Sequence, residues 1–564
     1  MRLLEAIRDE AIANVRNPSI TPTVPSINAA RDTGIAKLKA EHLRLEREAA
    51  IKAVNDEYDR LTSTNNYSAA QLVQLAAARD NAINNINNAA TVSGIHTGRD
   101  NGITAMRNVP HGGGGGDGDG DGDDDPGKGT GSGGGGGKLT EDDFSAGDAI
   151  VIVDGQPVNI GTVTDYDGTR TVTFNQEALN REIRDANDHV KVKLPADDFI
   201  SSYEVVFVVQ NVDDMAERNM ILIIEIGALT YQMPSTAVDT KAIMDALGAT
   251  NPADVPFTIT IVKSVDAQTL KTVGDTLDSY GKEQMFIPIQ FHITANYNGQ
   301  SVSVTTFMEY VARTIEVTED VARRITTGIT ICDEGKSRHV PTEVFGDSGK
   351  YYATINSLTN STYVLIYYDT SFDDILDTWY APCVDEKASR TIVKGRDDGL
   401  FYSKEDVSRA EFAAIIIRAL GLPPDGDGSV FSDVSEKAWH SGYVGKAYEY
   451  GIILGVSGDL FEPDRNITRQ EAMLMIQRAA VITGLAGNIG DISDFSDSAD
   501  VSSWAVNAAR WNVGSNLILG RSGMLHPADN ITRAETATLV LRLLRNAGLI
   551  DEREGSQPDL HRNR

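Results

Sequence analysis

Three arginines occupy the same unusual position at the starts of three predicted helices. Arg409, Arg469 and Arg533 each follow a Ser or Thr and stand two residues before a Glu, as in NITRAE at Asn530–Glu535. A Ser or Thr with Glu three residues later forms a capping box, so each arginine takes the first helical position, where the helix dipole disfavours a cation. A bound anion would remove this penalty, because a guanidinium and helix N–H groups can grip a carboxylate together. The pattern therefore predicts three anion sites.

The arginines belong to a repeated unit in which further residues follow a fixed order. Arg469 stands 60 residues after Arg409, and Arg533 stands 64 residues after Arg469. Each unit opens with a phenylalanine followed two residues later by an aspartate, then has a tryptophan, then a glycine that ends an aliphatic run. These candidate site residues are Asp374, Asp433, Asp497, Trp379, Trp439, Trp504, Gly395, Gly455 and Gly520.

This constellation resembles the S-layer homology (SLH) family of surface proteins from Gram-positive, Bacillus- or Paenibacillus-like bacteria. Three consecutive copies are found within residues 372–550. The resemblance implies that the three helical copies close into a pseudo-threefold bundle, whose grooves hold an anionic secondary cell-wall polysaccharide, often a pyruvylated one. A pyruvate ketal adds a carboxylate to a sugar, which fits the anion sites predicted from the arginines.

Each candidate residue type also has a structural interpretation. The arginines could form salt bridges to an acid of a neighbouring copy, and the tryptophans could pack in the core instead of stacking on sugar. The aspartates could cap helices or turns, and the glycines could end helices in a left-handed conformation. The glutamates Glu411, Glu471 and Glu535 are assigned to capping.

The three copies differ from one another. The second copy, GVSGDLFEPDRNITRQE, lies nearest to the family pattern, whereas the first has Ser403 where a proline is usual. The third has Leu525-His526-Pro527 in place of the aromatic-x-Pro triplet. We therefore expect unequal occupancy of the three grooves, and we expect the groove of Arg469 to bind first.

Composition narrows the classes of function. The 564 residues include 51 Lys+Arg and 81 Asp+Glu, which gives a formal net charge of −30. This acidity argues against nonspecific nucleic-acid binding and against docking on anionic membranes. Cys332 and Cys383 are too few for a disulfide framework or a zinc site; they could pair, but free thiols are the preferred interpretation. No cofactor or metal is expected, and no signal peptide is recognised in this sequence.

The N-terminal region is predicted to consist of duplicated helical repeats, and a linker follows them. Ala6–Asn17 matches Ala77–Asn88, and Ile27–Leu38 matches Ile95–Met106, with Ile and Ala at helical spacing. The glycine- and aspartate-rich run that follows predicts a flexible linker. Its Asp117, Asp119 and Asp121 resemble the start of a calcium loop, but Lys128 stands where that loop needs a glutamate.

From 139 to 368 the pattern changes to alternating strand-like runs with two helical insertions. Asn298-Gly299 predicts a type I′ hairpin. Gly346-Asp347-Ser348-Gly349 resembles the nucleophile loop of a serine protease but is interpreted as a turn. The predicted fold is multidomain, with helical N-terminal repeats, a β-rich sandwich-like middle with minor helices, and a helical C-terminal pseudo-trimer. The predicted segments are 1–110, 111–138, 139–368, the repeats 369–427, 428–489 and 490–550, and a polar tail 551–564.

These observations predict a noncatalytic protein of the cell envelope. We expect an extracellular S-layer or surface-display protein, held noncovalently on wall polysaccharide by its three repeats, with possible self-association in a surface lattice. Recognised catalytic motifs such as HExxH and GxSxG are missing. The alternatives are an envelope-anchored carbohydrate-active enzyme with its site in the β-rich region, and an adhesin that acts through the N-terminal helices.

Overall fold

A computed structural model of the chain separates it into two compact units, Met1–Gly134 and Gly135–Arg564. The described residues are scattered positions within 44–109, with 67–89 continuous, and residues 148–558 except 154–155, 198, 264–265, 332–335, 377 and 555–556. The predicted linker at 111–138 lies outside them. Among the helices described, none has the length and apolar character that a membrane span requires.

The first unit contains the helix α1, Ala69–Asn88. The helix begins with a capping box, in which the Ser68 hydroxyl accepts the N–H of Gln71 and the Gln71 amide oxygen accepts the N–H of Ser68. At its other end, Arg47 donates to the carbonyls of Ile86 and Ala89. The helix matches the predicted helical character of this region. The duplication stays a prediction, because the Ala6–Asn17 copy lies outside the described residues.

The second unit begins with the predicted β-rich region. Its strands are β1 Asp148–Val153, β2 Gln156–Tyr166, β3 Thr169–Phe174, β4 His189–Leu194, β5 Ser202–Val208, β6 Ile221–Ile226, β7 Leu229–Pro234, β8 Pro256–Val262, β9 Glu283–Gln284, β10 Ile289–Tyr297, β11 Gln300–Ser303, β12 Thr306–Val317, β13 Thr327–Ile331, β14 Ser337–Val340, β15 Thr342–Asp347, β16 Lys350–Thr359 and β17 Thr362–Tyr367. Its helices are α2 Gln176–Asp185, α3 Val209–Ala216, α4 Thr240–Leu247, α5 Ala267–Ser279 and α6 Glu319–Arg324. The β-rich middle is confirmed.

The seventeen strands form one hydrogen-bonded network. The order from edge to edge is β14-β13-β17-β10-β8-β5-β3-β2-β1-β4-β6-β7-β12-β16-β15, with β11 beside β10 and β9 beside β17. Two pairs are parallel, β3 with β5 and β4 with β6. Alternate residues are buried along β3–β8, β10 and β12, where they form one large core, as the period of two requires.

Tight turns join several of these strands. Asn298 and Gly299 both have positive φ, 49° and 80°, and link β10 to β11, which confirms the type I′ hairpin. Ser348 and Gly349 likewise have φ of 49° and 80° between β15 and β16. The serine of the Gly-Asp-Ser-Gly run therefore stands in a hairpin turn, as predicted.

The helical insertions are more numerous than the sequence pattern indicated. The two predicted insertions correspond to α2 and α4, whereas α3, α5 and α6 were not predicted. The apolar run from Tyr203 to Val212 has the composition of a strand throughout, but β5 ends at Val208 and the chain continues as α3. The side chain of Asn211 accepts the backbone N–H of Val208 at 2.9 Å, which closes the helix start in spite of the β-branched residues.

A buried arginine lies inside the β-rich core. Arg313 on β12 is fully buried, and its guanidinium lies 4.7 Å from the ring centre of Tyr363 and 5.0 Å from that of Phe291. It donates to the carbonyls of Val311 and Thr359. Aromatic faces and carbonyl oxygens thus compensate for the lost hydration of this cation.

The C-terminal region is helical, as predicted. Its helices are α7 Ala381–Ser389, α8 Arg409–Ala419, α9 Ser441–Glu449, α10 Arg469–Ile482, α11 Val506–Gly514 and α12 Arg533–Asn546. Two short strands follow, β18 Arg553–Glu554 and β19 Gln557–Pro558. One apolar core spans all three repeats.

A closed ring of backbone hydrogen bonds joins the three repeats at the segments just before α8, α10 and α12. The N–H of Val407 donates to the carbonyl of Ile531, that of Ile531 to Ile467, and that of Ile467 to Val407, at 2.9–3.1 Å. Each repeat therefore donates to one neighbour and accepts from the other. The three segments surround a common axis, with the side chains of Val407, Ile467 and Ile531 buried there.

The segment after the third repeat returns to the β-rich region. Asp551, the first residue of the predicted polar tail, is buried, and its carboxylate accepts from Arg390 of the first repeat and from the N–H of Val344. Arg553 donates to the carbonyls of Ile325 and Thr326. These contacts attach the end of the helical bundle to the sheet.

Lys387 on α7 predicts a pH dependence of stability. Its side chain is fully buried, and among the described residues its Nζ has no hydrogen-bond partner. Burial lowers the pKa of Lys387 from 10.5 to about 7, although the nearby Glu386 opposes this shift. The unfolded chain therefore binds a proton that the folded chain releases, so the free energy of unfolding should rise as pH increases from about 7 towards 10.

Urea unfolding followed by tryptophan fluorescence tests this dependence, because all four tryptophans lie in the C-terminal repeats. Lys387→Met should stabilise the protein at pH 7 and flatten its pH dependence. The matched control is Lys404→Met at an exposed position of the same repeat. Identical pH slopes for Lys387→Met and the unsubstituted protein would contradict the assignment.

Candidate glycan-binding site

The three arginines begin α8, α10 and α12, as the spacing predicts. The capping boxes are confirmed: Ser408, Thr468 and Thr532 accept the N–H of the glutamate three residues on, and that glutamate accepts the N–H of the cap residue. Glu411, Glu471 and Glu535 therefore serve the helix starts as assigned. Although burial would raise it, hydrogen bonds from Arg465 and Thr468 hold the pKa of Glu471 below its ordinary value.

The helix starts do not offer free N–H groups to a ligand, and this part of the expectation is wrong. The backbone N–H groups of Arg409, Arg469 and Arg533 donate at 2.9 Å to carbonyls of the neighbouring repeat, and the next N–H in each helix does the same at 3.0 Å. The third N–H goes to the cap hydroxyl. Assembly of the ring consumes the donors that an isolated helix would leave exposed.

The arginine side chains are also directed at the neighbouring repeat. Arg409, Arg469 and Arg533 are 4%, 7% and 8% exposed. Their Nε atoms donate to the carbonyls of Phe461, Leu525 and Phe401, respectively, at 2.8–2.9 Å. Each arginine thus holds the loop that precedes the helix of the next repeat, in a cyclic arrangement that we call the arginine latch.

Two latch arginines also form ion pairs between repeats. Nη1 of Arg409 lies 3.1 Å from Oε1 of Glu471, and Nη1 of Arg469 lies 2.7 Å from Oε1 of Glu535. These are the salt bridges to a neighbouring copy that the sequence left as an alternative. The geometry therefore does not favour the groove of Arg469 as the first binding site, because its guanidinium is already neutralised by protein.

Arg533 differs from the other two. Its Nη2 donates to the carbonyl of Lys394 at 2.7 Å, and no carboxylate among the described residues forms an ion pair with it. The glutamate that would correspond, Glu411, is instead paired with Arg396 at 3.2 Å. Burial lowers the pKa of the Arg533 guanidinium, and the charge of Arg396 lowers it further. Arg396 also pairs with Glu405 at 2.8 Å. Arg533 is therefore the latch arginine that has no ion pair with a carboxylate of the described residues.

The three aspartates hold the loops that the latch arginines grip. Asp374, Asp433 and Asp497 each accept two consecutive backbone N–H groups of their own repeat, at 2.7–2.9 Å. The second of each pair belongs to a residue with positive φ, at Tyr402, Glu462 or His526. The structure thus supports the capping alternative for these aspartates, because both carboxylate oxygens are occupied by backbone.

The glycines do not end the helices, which corrects that alternative. The left-handed residues just after α7, α9 and α11 are Thr391, Gly451 and Asn516, whereas Gly395, Gly455 and Gly520 stand four residues later. A Cβ at Gly395, Gly455 or Gly520 would lie 2.4–2.9 Å from the ring of the repeat's own phenylalanine, at Phe372, Phe431 or Phe495. Glycine is required because the chain passes directly over that ring.

The tryptophans are exposed rather than buried. Trp379, Trp439 and Trp504 are 71%, 59% and 51% exposed, so the core-packing alternative is wrong. An exposed indole ring leaves a large apolar surface in contact with water, which is unfavourable. Such rings are often found where a ligand or partner binds.

One groove brings residues of all three repeats together. It has a volume of about 220 Å³, and its lining includes Lys394, Arg396 and Arg418 of the first repeat, Trp439 of the second and Arg533 of the third. Among the described residues, Glu411 is the only carboxylate of its lining. We call it the first groove. It offers an aromatic face beside a cluster of positive charge.

Comparison with known families decides what these repeats are. The model of the S-layer homology domain matches residues 371–413, 430–473 and 494–537. The C-terminal region consists of three SLH domains. SLH domains anchor proteins to the cell wall and are found in surface-associated proteins.

The relatives include both S-layer proteins and enzymes. The chain is 32% identical over 206 residues to an amylopullulanase of Thermoanaerobacterium thermosulfurigenes, which is 36% of this chain and 11% of the relative. It is 32% identical over 221 residues to exoglucanase XynX of Acetivibrio thermocellus, a match that covers 39% of this chain and 20% of the relative. The surface-layer 125 kDa protein of Lysinibacillus sphaericus is 33% identical over 159 residues, a match that covers 28% of this chain and 13% of the relative. The chain thus matches a fifth or less of each, in the SLH region.

Sequence reasoning missed Lys394 and Arg396, although a signal for Lys394 was present. The aliphatic run before the glycine reads IVKG in the first SLH domain, but IILG and LILG in the other two. The equivalent residues Leu454 and Leu519 are each 60% exposed. A lysine in place of an exposed leucine marks the first groove as different from its two counterparts.

Removing one aspartate should weaken the SLH bundle. Asp433→Ala deletes two hydrogen bonds from backbone N–H groups to a carboxylate and releases the left-handed residue Glu462. We expect a loss of about 2–3 kcal/mol in the free energy of unfolding, measured by urea unfolding with tryptophan fluorescence. The control Asp459→Ala, at an exposed position of the same loop, should change stability by less than about 0.5 kcal/mol. Equal stabilities of the two variants would refute the structural role.

Proposed function

We propose that this protein is anchored noncovalently to an anionic, pyruvylated secondary cell-wall polysaccharide, and that the first groove is its principal binding site. The observation that supports this proposal most is the convergence of Lys394, Arg396 and Arg533 beside the exposed ring of Trp439. The groove supplies the two kinds of contact that an acidic sugar needs, namely cationic donors for a carboxylate and an aromatic face for the apolar side of the ring.

The charge of the whole chain makes this cluster more significant. A protein with a net charge of −30 repels a polyanion over distances comparable to the Debye length, about 8–10 Å at physiological salt. Binding therefore requires a local concentration of positive charge. In the first groove Glu411 is already hydrogen-bonded to Arg396 and to the N–H of Ser408. Arg396 also pairs with Glu405 at 2.8 Å. Arg396 and Glu411 therefore add little net charge, and Lys394 and Arg533 supply the positive charge of the groove.

Lys394 is the cation best suited to meet the ligand. It is exposed, and no ion pair with a carboxylate involves its Nζ in the described part of the chain. Arg533 donates to the carbonyls of Phe401 and Lys394. It therefore contributes positive electrostatic potential to the groove more than N–H donors for a ligand. We infer that the ketal carboxylate binds Lys394, next to Arg396, which is itself paired with Glu405 and Glu411, while a sugar ring lies against Trp439.

The two other grooves should bind more weakly. Their arginines, Arg409 and Arg469, are neutralised by Glu471 and Glu535, and leucines replace the lysine. Trp504 and Trp379 remain exposed there and could still contact sugar. We therefore propose one strong site and two weaker ones, with the candidate aspartates and glycines supporting the loops.

We further propose that the protein is noncatalytic and displays its β-rich module and N-terminal helices at the cell surface, with self-association in a surface lattice. The S-layer relatives support this interpretation. The alternative is an envelope-anchored carbohydrate-active enzyme, which the names of other relatives favour. One cavity of the β-rich region, about 260 Å³ at Gln268, Thr272 and Gln290, is lined by no carboxylate of the described residues, whereas glycoside hydrolysis normally uses a pair. An adhesin acting through the N-terminal helices is a third candidate.

Exchanging the residues that distinguish the grooves tests the main site. Lys394→Leu, which gives the first groove the residue of its counterparts, should weaken binding of purified pyruvylated wall polysaccharide by about 1.5–3 kcal/mol. The reciprocal Leu454→Lys should strengthen binding at the corresponding groove of the second SLH domain, where Leu454 takes the place of Lys394. Isothermal titration calorimetry measures both, with Lys437→Leu as an exposed control outside the groove lining.

Co-sedimentation with cell-wall sacculi, before and after chemical removal of the secondary polysaccharide, extends this test to the intact wall. The unsubstituted protein should lose binding when the polysaccharide is removed. Unchanged affinity of both Lys394→Leu and Trp439→Ala would overturn the proposed site.

A further inference from the structure

A second and larger cleft lies where the β-rich module meets the first two SLH domains. Its volume is about 950 Å³, compared with about 220 Å³ for the first groove. Tyr280, Lys282 and Tyr368 line it from the β-rich module, and Lys394, Arg418 and Tyr443 from the SLH domains. We call it the junction cleft. It is large enough for several sugar residues.

The junction cleft is strongly cationic in an acidic protein. Among the described residues, six lysine and arginine side chains contribute to its lining, with one carboxylate, that of Asp425. This carboxylate is already paired with Lys446, whose Nζ lies 2.7 Å from its Oδ1. Arg396 is paired with Glu405 and Glu411. An anion entering the cleft would meet Lys282, Lys394 and Arg418, for which the described residues supply no ion pair.

Lys282 is the central residue of the argument. It is 8% exposed, its Nζ donates to the Ser337 hydroxyl at 3.2 Å, and it lies 4.7 Å from the ring centre of Tyr280. Among the described residues, no carboxylate lies within ion-pairing distance of it. Burial, and then the charge of Lys394 across the cleft, lower the pKa of Lys282 to about 8. Two ammonium groups from different domains therefore repel each other across a space that a ligand can enter.

A buried imidazole adds a second unsatisfied group. His339, which is 2% exposed, belongs to the cleft lining. Its Nδ1 is hydrogen-bonded to the Thr327 hydroxyl at 2.9 Å, whereas its Nε2 has no partner within the described structure. Such groups are costly to leave unpaired in a folded protein, and this one makes the wall of the cleft polar at His339.

The junction cleft adjoins the first groove. Val393, Lys394, Gly395, Arg396 and Arg418 line both cavities. A polymer held in the first groove is thereby led towards Lys282, past Lys394. The tyrosines of the cleft provide further aromatic surface along this path, which suits a sugar chain better than a small inorganic anion.

We propose that the junction cleft binds a further acidic residue of the same wall polysaccharide, with Lys282 and Lys394 on either side of its carboxylate. The β-rich module then takes part in anchoring and is not only displayed by the SLH domains. This inference rests on the proposed function, since it extends the ligand of the first groove.

Calorimetry with two ligands on the full-length protein tests the extension. The probes are purified pyruvylated wall polysaccharide and a single-repeat oligosaccharide released from it. Lys282→Met should weaken polymer binding about tenfold, which corresponds to one charge-assisted contact, and should leave oligosaccharide binding within about twofold. Tyr280→Ala, at a half-exposed residue, should act in the same direction and covers the case in which Lys282→Met misfolds. Lys263→Met is the control, because Lys263 also lies over a tyrosine ring of the module but outside the cleft.

The outcomes separate this inference from the proposed function. Unchanged polymer affinity in both cleft variants, with Lys394→Leu and Trp439→Ala still defective, would overturn the extension and retain the first groove. Equal losses for polymer and oligosaccharide in Lys282→Met would also overturn it, since Lys282 would then act on the first groove. Equally strong Lys282-dependent binding of poly-glutamate would overturn the assignment to a sugar. Normal binding by the Lys394 and Trp439 variants would instead refute the proposed function.

Discussion

The fold of the C-terminal region depends on one cyclic arrangement of hydrogen bonds between the repeats. Backbone groups of Val407, Ile467 and Ile531 close the inner ring, and the latch arginines close an outer one by gripping the loop of the next repeat. Each ring needs all three members, because the carbonyl that satisfies one repeat is supplied by another. An arginine at the first helical position is therefore explained by assembly: nearby glutamates and carbonyls compensate for the unfavourable dipole.

The same arrangement makes the three latch positions electrostatically different, which is the basis of the proposed single strong site. Where a glutamate pairs with the latch arginine, the pair adds no net positive charge to its groove. At Arg533 the glutamate is engaged elsewhere by Arg396, and Lys394 replaces a leucine. A small departure from the repeat pattern thus concentrates positive charge on a protein of net charge −30. Specialisation of one repeat needs no change in the shared scaffold.

Much of this could be predicted from residue patterns, and the failures have physical causes. Capping boxes, hairpin glycines and the repeat itself are local signals, so the helix starts, the Asn298-Gly299 turn and the SLH domains were predicted correctly. Which groups a side chain contacts depends on the tertiary structure. Whether Arg469 faces a ligand or Glu535, and whether Trp439 is buried, depends on how the repeats close. Likewise, Asn211 starts a helix within a β-branched run, which no periodicity indicates.

The return of the chain from the third SLH domain to the sheet has a mechanical consequence. Arg390, Asp551 and Arg553 form a buried ionic cluster that connects the first repeat, the end of the bundle and the carbonyls of Ile325 and Thr326. Both ends of the bundle are thereby fastened to the β-rich module. When a cell surface is sheared, tension arriving from the wall would spread over two parallel attachments rather than a single hinge, so the anchor and the first displayed module should withstand pulling as one block.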